Sequence, residues 1–144
     1  MNPLAAAALA AGELICEFSD GYRKSLLAEI AGDAPRGEFV LVYHSLNADS
    51  AQVLASRRSG RRPVLIRPGR ETLHFIESDG AAVRVTTLTF CMQARMRGDE
   101  ELCTRFAARH AWHFDARAPL DPDASLERQP SGAASGFCEP WRLD

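Results

Sequence analysis

From Leu102 to Phe114 the chain alternates. Leu102, Thr104, Phe106, Ala108, His110, Trp112 and Phe114 are apolar or able to be buried, and Cys103, Arg105, Ala107, Arg109, Ala111 and His113 fall between them. Successive side chains of a strand point to opposite faces, so this two-residue period predicts one long half-buried strand. A helix over 99–114 is the competing reading. Gly98-Asp99-Glu100-Glu101 resembles an N-cap with an acidic first turn, and Leu102, Phe106 and His110 also stand four apart. The strand is preferred because the alternation runs unbroken to Phe114.

The same signature recurs upstream. Glu13–Phe18 places Leu14, Cys16 and Phe18 on one face. Phe39–Tyr43 is dense in β-branched and aromatic residues, which pack well on a pleated surface. Ala51–Arg57, Pro63–Arg67, Thr72–Ser78 and Ala82–Met92 follow, separated by the turn signals Asn47-Ala48-Asp49-Ser50, Ser59-Gly60, Pro68-Gly69 and Asp79-Gly80. Tyr22–Ile30 reads as a strand or a short helix, because Leu26, Leu27 and Ile30 have helical spacing before Gly32 and Pro35 cut the segment off. Residues 115–136 are polar and rich in Pro, Asp, Ser and Gly, and predict a long covering loop or lid. Phe137–Trp141 then predicts a short closing strand. About eight strands joined mostly by short turns predict an all-β fold, an antiparallel up-and-down barrel of the lipocalin-like kind. A β-sandwich, or an α+β fold with a helix at 99–114, is the alternative.

A loop centred near Arg97 would set the last two long strands in register, with Leu88 opposite Phe106, Phe90 opposite Thr104, Met92 opposite Leu102 and Arg84 opposite His110. The same register sets Cys91 opposite Cys103, at a separation close to that of a disulfide. Cys16 and Cys138 would then tie the first strand to the last. Four cysteines fit two disulfides in an oxidising compartment, which favours a periplasmic or secreted protein. Buried free thiols in a cytoplasmic protein are the alternative.

Composition adds limits rather than identity. At 144 residues, 46% apolar and 25% charged, the chain has the profile of one globular domain. A net charge of −2 speaks against a dedicated nucleic-acid binder. No apolar run reaches the roughly 20 residues that span a bilayer. Residues 1–12 are an alanine-rich arm or the remnant of a signal peptide. Pro3 to Gly12 resembles an apolar signal core with a small-residue cleavage site but lacks a preceding positive charge. Residues 13–144 form the barrel domain.

Leu73-His74-Phe75-Ile76-Glu77, then Gly80 and Val85-Thr86-Thr87-Leu88, with Arg109-His110 further on, resemble a group of small uncharacterised bacterial proteins. That group looks like exported lipocalin-like β-barrels, and the likeness covers about 38–110. A glycine common in the group before its second core strand is absent here, where Asp49-Ser50-Ala51 stands. The resemblance implies a fold and export, and supplies no activity.

Candidate chemistry is sparse. His110-x-x-His113 on a strand point to opposite faces, so no metal site is expected from them, and no cofactor motif is present. Gly-x-Ser-x-Gly, P-loop and His-Glu-x-x-His motifs are absent, so the expectation is a non-catalytic protein. The favoured reading is a barrel that binds a small apolar or amphipathic ligand in its lumen, using Phe75, Phe90, Phe106, His110 and Trp112. The alternative is an interaction module that presents Arg57, Arg58, Arg61 and Arg62 to an acidic partner. An enzyme would need a cleft that brings a histidine within hydrogen-bond reach of a cysteine or carboxylate.

Overall fold

The computed structural model describes residues 2–19, 39–55, 60–115, 127 and 130–141. A helix α1 (Pro3–Ala11) precedes eight strands: β1 (Leu14–Ser19), β2 (Phe39–His44), β3 (Ser50–Ala55), β4 (Arg62–Pro68), β5 (Leu73–Ser78), β6 (Ala82–Arg97), β7 (Glu100–Phe114) and β8 (Ser131–Pro140). They pair in sequence order, all antiparallel, and β1 pairs with β8 to close the barrel. This is an all-β barrel of the lipocalin-like fold class, so the sandwich and the helix at 99–114 are both overturned. Tyr22–Ile30 lies outside the described residues.

Alternation decides what faces inward. Phe39, Leu41 and Tyr43 of β2, Leu73, Phe75 and Glu77 of β5, and Phe106, Ala108, His110, Trp112 and Phe114 of β7 are all buried. Each large apolar side chain removed from water adds about 1.5–3 kcal/mol relative to an exposed one. The alternation of β7 is therefore worth far more than any local helix signal at its start. Closure adds a second reason, because β7 is paired along both edges, to β6 and to β8.

The alanine-rich arm is the helix α1. Asn2 caps it by accepting from the Ala5 amide at 2.7 Å, Pro3 begins the first turn, and Gly12 ends it at φ 77°. Such a short helix is marginal alone, and here tertiary contacts hold it. The Asn2 side-chain amide donates to the carbonyls of Gly69 and Thr72, both at 3.0 Å, and the Leu46 amide donates to the Gly12 carbonyl at 3.1 Å. Ala5 and Ala8 are buried in the core, so α1 covers the end of the barrel that carries the β2–β3 and β4–β5 turns.

Two expectations need correction. Strand β8 begins at Ser131, not at Phe137, so 131–136 belong to the sheet rather than to a polar loop. Ser131-Gly132-Ala133-Ala134-Ser135-Gly136 has no strand signature, and at its two glycines the neighbours leave no room for a side chain. A Cβ at Gly132 would sit 2.6 Å from Trp112 Cζ2, and one at Gly136 would run into the Glu17 carbonyl. The β6–β7 register is also displaced. The chain turns at Gly98-Asp99, with Gly98 at φ 63° and Arg97 opposite Glu100. With irregularities from Leu88 to Ala94, Leu88 faces Ala108, Arg84 faces Trp112, and Thr86 rather than Arg84 faces His110.

Both disulfides are nevertheless present. Cys16 and Cys138 stand directly opposite in the β1–β8 ladder and are bonded across the seam that closes the barrel. Cys91 and Cys103 are bonded although their ladder partners are Phe106 and Ala94. The irregular pairing between them brings their Cα atoms to 5.9 Å. No free cysteine remains.

Candidate functional site

Inside the apolar lumen a line of polar side chains runs from strand to strand. The Tyr43 hydroxyl (β2) donates to Thr86 Oγ1 (β6) at 2.7 Å, Thr86 Oγ1 lies 3.1 Å from His110 Nδ1 (β7), and His110 Nε2 lies 2.9 Å from Glu127 Oε2. Arg84 (β6) donates from Nε to both oxygens of Glu127, at 3.0 and 3.2 Å. Its Nη1 reaches Glu77 (β5) and Asp79 at 3.4 Å each, and Asp79 is bonded in turn by Arg62 at 3.0 Å. Inward positions two residues apart on β6 supply Arg84 and Thr86, and the β6–β7 ladder sets Thr86 against His110. The pleat therefore builds the line.

The carboxylate end sets its direction. An ionised carboxylate only accepts, so Nε2 of His110 carries a proton. Nδ1 can then accept from the Thr86 hydroxyl, which itself accepts from Tyr43. Burial by itself raises the Glu127 carboxyl, but the hydrogen bond from His110 and the positive charge of Arg84 outweigh it and hold the group below its usual range. Asp79 is also held low, as the Ala81 and Ala82 amides and Arg84 overcome its partial desolvation. Thr86 and His110 are each 1% exposed and Glu127 is 3% exposed, so this part of the network is interior, while its Asp79–Arg62 end lies at the surface. Groups buried this way cost free energy unless fully bonded, and every oxygen and nitrogen named here has a partner.

Aromatic rings enclose the imidazole. His110 lies 5.2 Å from Phe39, 5.3 Å from Phe18 and 5.8 Å from Trp112, centroid to centroid. Arg84 sits 4.9 Å over the Phe114 ring, and Tyr43 stacks on Phe75 at 4.4 Å. Of the five residues expected to line the lumen, Phe75, Phe106, His110 and Trp112 face inward and are buried. Phe90 does not: it is 60% exposed, because β6 has by then left its β5 neighbour.

The arginine turn divides. Arg57 and Arg58 lie outside the described residues, Arg61 is exposed, and Arg62 is engaged by Asp79. Arg62 therefore belongs to the ion-pair line that ends in the lumen.

Thr86, His110 and Glu127 are the residue types of a hydroxyl–imidazole–carboxylate relay. The Thr86 oxygen has almost no exposed surface, so as it stands the relay holds protons in place and offers no nucleophile to an incoming molecule. Both cysteine pairs are oxidised, which removes the thiol version of that chemistry. His44 faces Glu13 at 3.5 Å, while His74 is bonded between Thr72 and Thr87. Among the described residues no group of three or more His, Cys, Asp or Glu side chains is placed to hold a metal ion. No described helix is long and apolar enough to cross a membrane.

His110 is legible in the sequence and its partners are not. Glu127 lies within a stretch with no periodicity at all, and Tyr43 and Thr86 look like ordinary strand residues. The one usable signal was Arg84 on an inward position of β6, a charge that requires a buried counter-charge. No family model, curated protein or solved structure matches the chain.

Proposed function

We propose that the chain is a non-catalytic small barrel that binds a small apolar or amphipathic ligand in its lumen. Phe75, Phe106, His110 and Trp112 contribute to that site, and Tyr43, Thr86, Arg84 and Glu127 join them. The observation that carries the reading is the composition of the interior: aromatic rings around one imidazole, with the polar groups gathered into a single line. Binding sites for small molecules combine an apolar lining with a few placed polar groups in this way. Helix α1 covers one end, and the side of entry in this reading is the end bearing Asp79, Phe114 and Arg84.

The two disulfides support a life in an oxidising compartment, periplasmic or secreted. Native mass measured with and without reductant tests that part, with both bonds expected in protein isolated from that compartment.

Ligand binding is tested with a neutral amphiphile, dodecanol, followed by intrinsic fluorescence. Trp112 stacks on His110 and reports the lumen, while Trp141 is exposed and serves as background. Saturable quenching or enhancement, lost in Trp112→Phe, is the expected result. No saturable signal, together with an unchanged melting midpoint, overturns the reading.

A further inference from the structure

The groups around the Glu127 carboxylate form a receptor, and its occupant comes from a different part of the chain. Arg84, His110, Thr86, Tyr43 and Glu77 all stand on barrel strands, with positions set by the sheet ladders. Glu127 alone comes from the connection between β7 and β8. Its two oxygens share the one N–H of Arg84 Nε, and one of them also accepts from His110 Nε2; hydrogen bonds to an ionised group of this kind are the stronger ones.

The receptor groups are also held by contacts other than Glu127. Glu77 and Asp79 hold the other side of the Arg84 guanidinium, Phe114 supports it from below, and Thr86 fixes the imidazole through Nδ1. Without Glu127, a cation and an N–H donor would still converge on one point, with Phe18, Phe39 and Trp112 beside the imidazole. Leaving the Arg84 Nε–H and the His110 Nε2–H without an acceptor is costly in a low-dielectric interior, so another carboxylate is the group best matched to fill the place.

We propose that Arg84 and His110 form a carboxylate-binding site, that Glu127 is its built-in occupant, and that the carboxylate of an amphipathic ligand takes its place. This deepens the lumen-binding reading and rests on it for the ligand's apolar body. The physical basis is competition. A tethered carboxylate acts at an effective concentration of the order of millimolar, so a free ligand sees its affinity lowered by whatever fraction of time Glu127 holds the site.

The test compares wild type with Glu127→Ala, using acetate, dodecanoate and dodecanol as probes. In Glu127→Ala, acetate raises the melting midpoint saturably while chloride at equal ionic strength does not. Dodecanoate binds Glu127→Ala about tenfold or more tighter than it binds wild type, as expected when a tethered competitor is removed. Arg84→Gln placed in the same background removes both effects. Acetate acting no differently from chloride, with dodecanoate binding both proteins equally, overturns the proposal.

Should Glu127→Ala fail to fold, wild type alone decides: a preference for dodecanoate over dodecanol supports the site, and equal binding overturns it. The arms also separate the two readings. Equal saturable binding of dodecanol and dodecanoate leaves the lumen reading standing and removes the carboxylate site. An acetate effect without binding of either amphiphile does the reverse.

Discussion

Strands β6 and β7 each have two halves. Between Ala82 and Leu88, β6 lies between β5 and β7; between Phe106 and Phe114, β7 lies between β6 and β8. Beyond Leu88 and before Phe106 each strand has only the other, and the pair runs on as a two-stranded ribbon. Inside the barrel the alternation Phe106, Ala108, His110, Trp112 is an alternation of burial. On the ribbon Phe90, Met92 and Met96 are exposed, with Met96 at 63%. The two halves read alike in sequence. An apolar residue at every second position buries one face only where further strands curve around to cover it, and the ribbon has none. A two-stranded ribbon is marginal in water; α1 lies against part of this one, and Cys91–Cys103 adds a covalent link.

The largest effects separate the two disulfides. Cys16–Cys138 spans 122 residues, and in the chain-entropy model such a crosslink adds about 5 kcal/mol. Its removal by Cys16→Ser with Cys138→Ser is expected to cost most of that in denaturant unfolding. Cys91–Cys103 closes a loop worth about 3 kcal/mol in the same model. Because the ribbon opens locally, its removal is expected to lower global stability by less than about 1 kcal/mol and to show as faster amide exchange over 89–97. A full loss of 3 in global unfolding would mean that the ribbon and the barrel unfold as one unit.

Phenylalanines sharpen the same contrast. Phe106→Ala empties a fully buried position and is expected to cost about 3–5 kcal/mol. Glycine 132 tests the small-residue seam: Gly132→Val pushes a side chain into the Trp112 ring and is expected to cost about 1–3 kcal/mol, with a changed Trp112 fluorescence.

Acid distinguishes the buried network from the surface. A carboxylate whose folded pKa is depressed adds stability above its unfolded value and loses it as the pH falls through the folded one. Glu127 is depressed from an ordinary 4.5, so the wild-type melting midpoint is expected to drop as the pH falls below that value. Glu127→Gln is expected to cost about 1–3 kcal/mol at neutral pH and to flatten that acid limb, to which Asp79 also contributes. Smallest of all, Phe90→Ala on the ribbon is expected to stay within about 0.5 kcal/mol. A loss like that of Phe106→Ala would show that the ribbon face is covered in solution.

Much of the barrel was legible because its signal is local. Period-two alternation in β2, β5 and β7, and turn residues such as Asp79-Gly80, predict strands with little tertiary help. Strand β8 was shortened at its start because Gly132 and Gly136 answer to Trp112 and Glu17, residues remote in sequence. The cysteine pairing was right although the register used to reach it was not, since irregular pairing between Leu88 and Ala94 carried Cys91 back within reach of Cys103. Of the residues expected in the lumen Phe90 alone faces outward, because β6 there has run past Leu73, the first residue of β5.

What the chain's order of residues determined alone was the period, and with it the class of fold: each pleat turns alternate side chains inward, and closure of eight such strands hides their edges. Tertiary structure decided what those inward side chains meet. No periodicity could bring Glu127 to His110 and Arg84, because that contact joins a strand-borne imidazole and guanidinium to a carboxylate from a patternless connection. Such contacts are set by three-dimensional closure, where a buried charge must find its counter-charge wherever along the chain it lies.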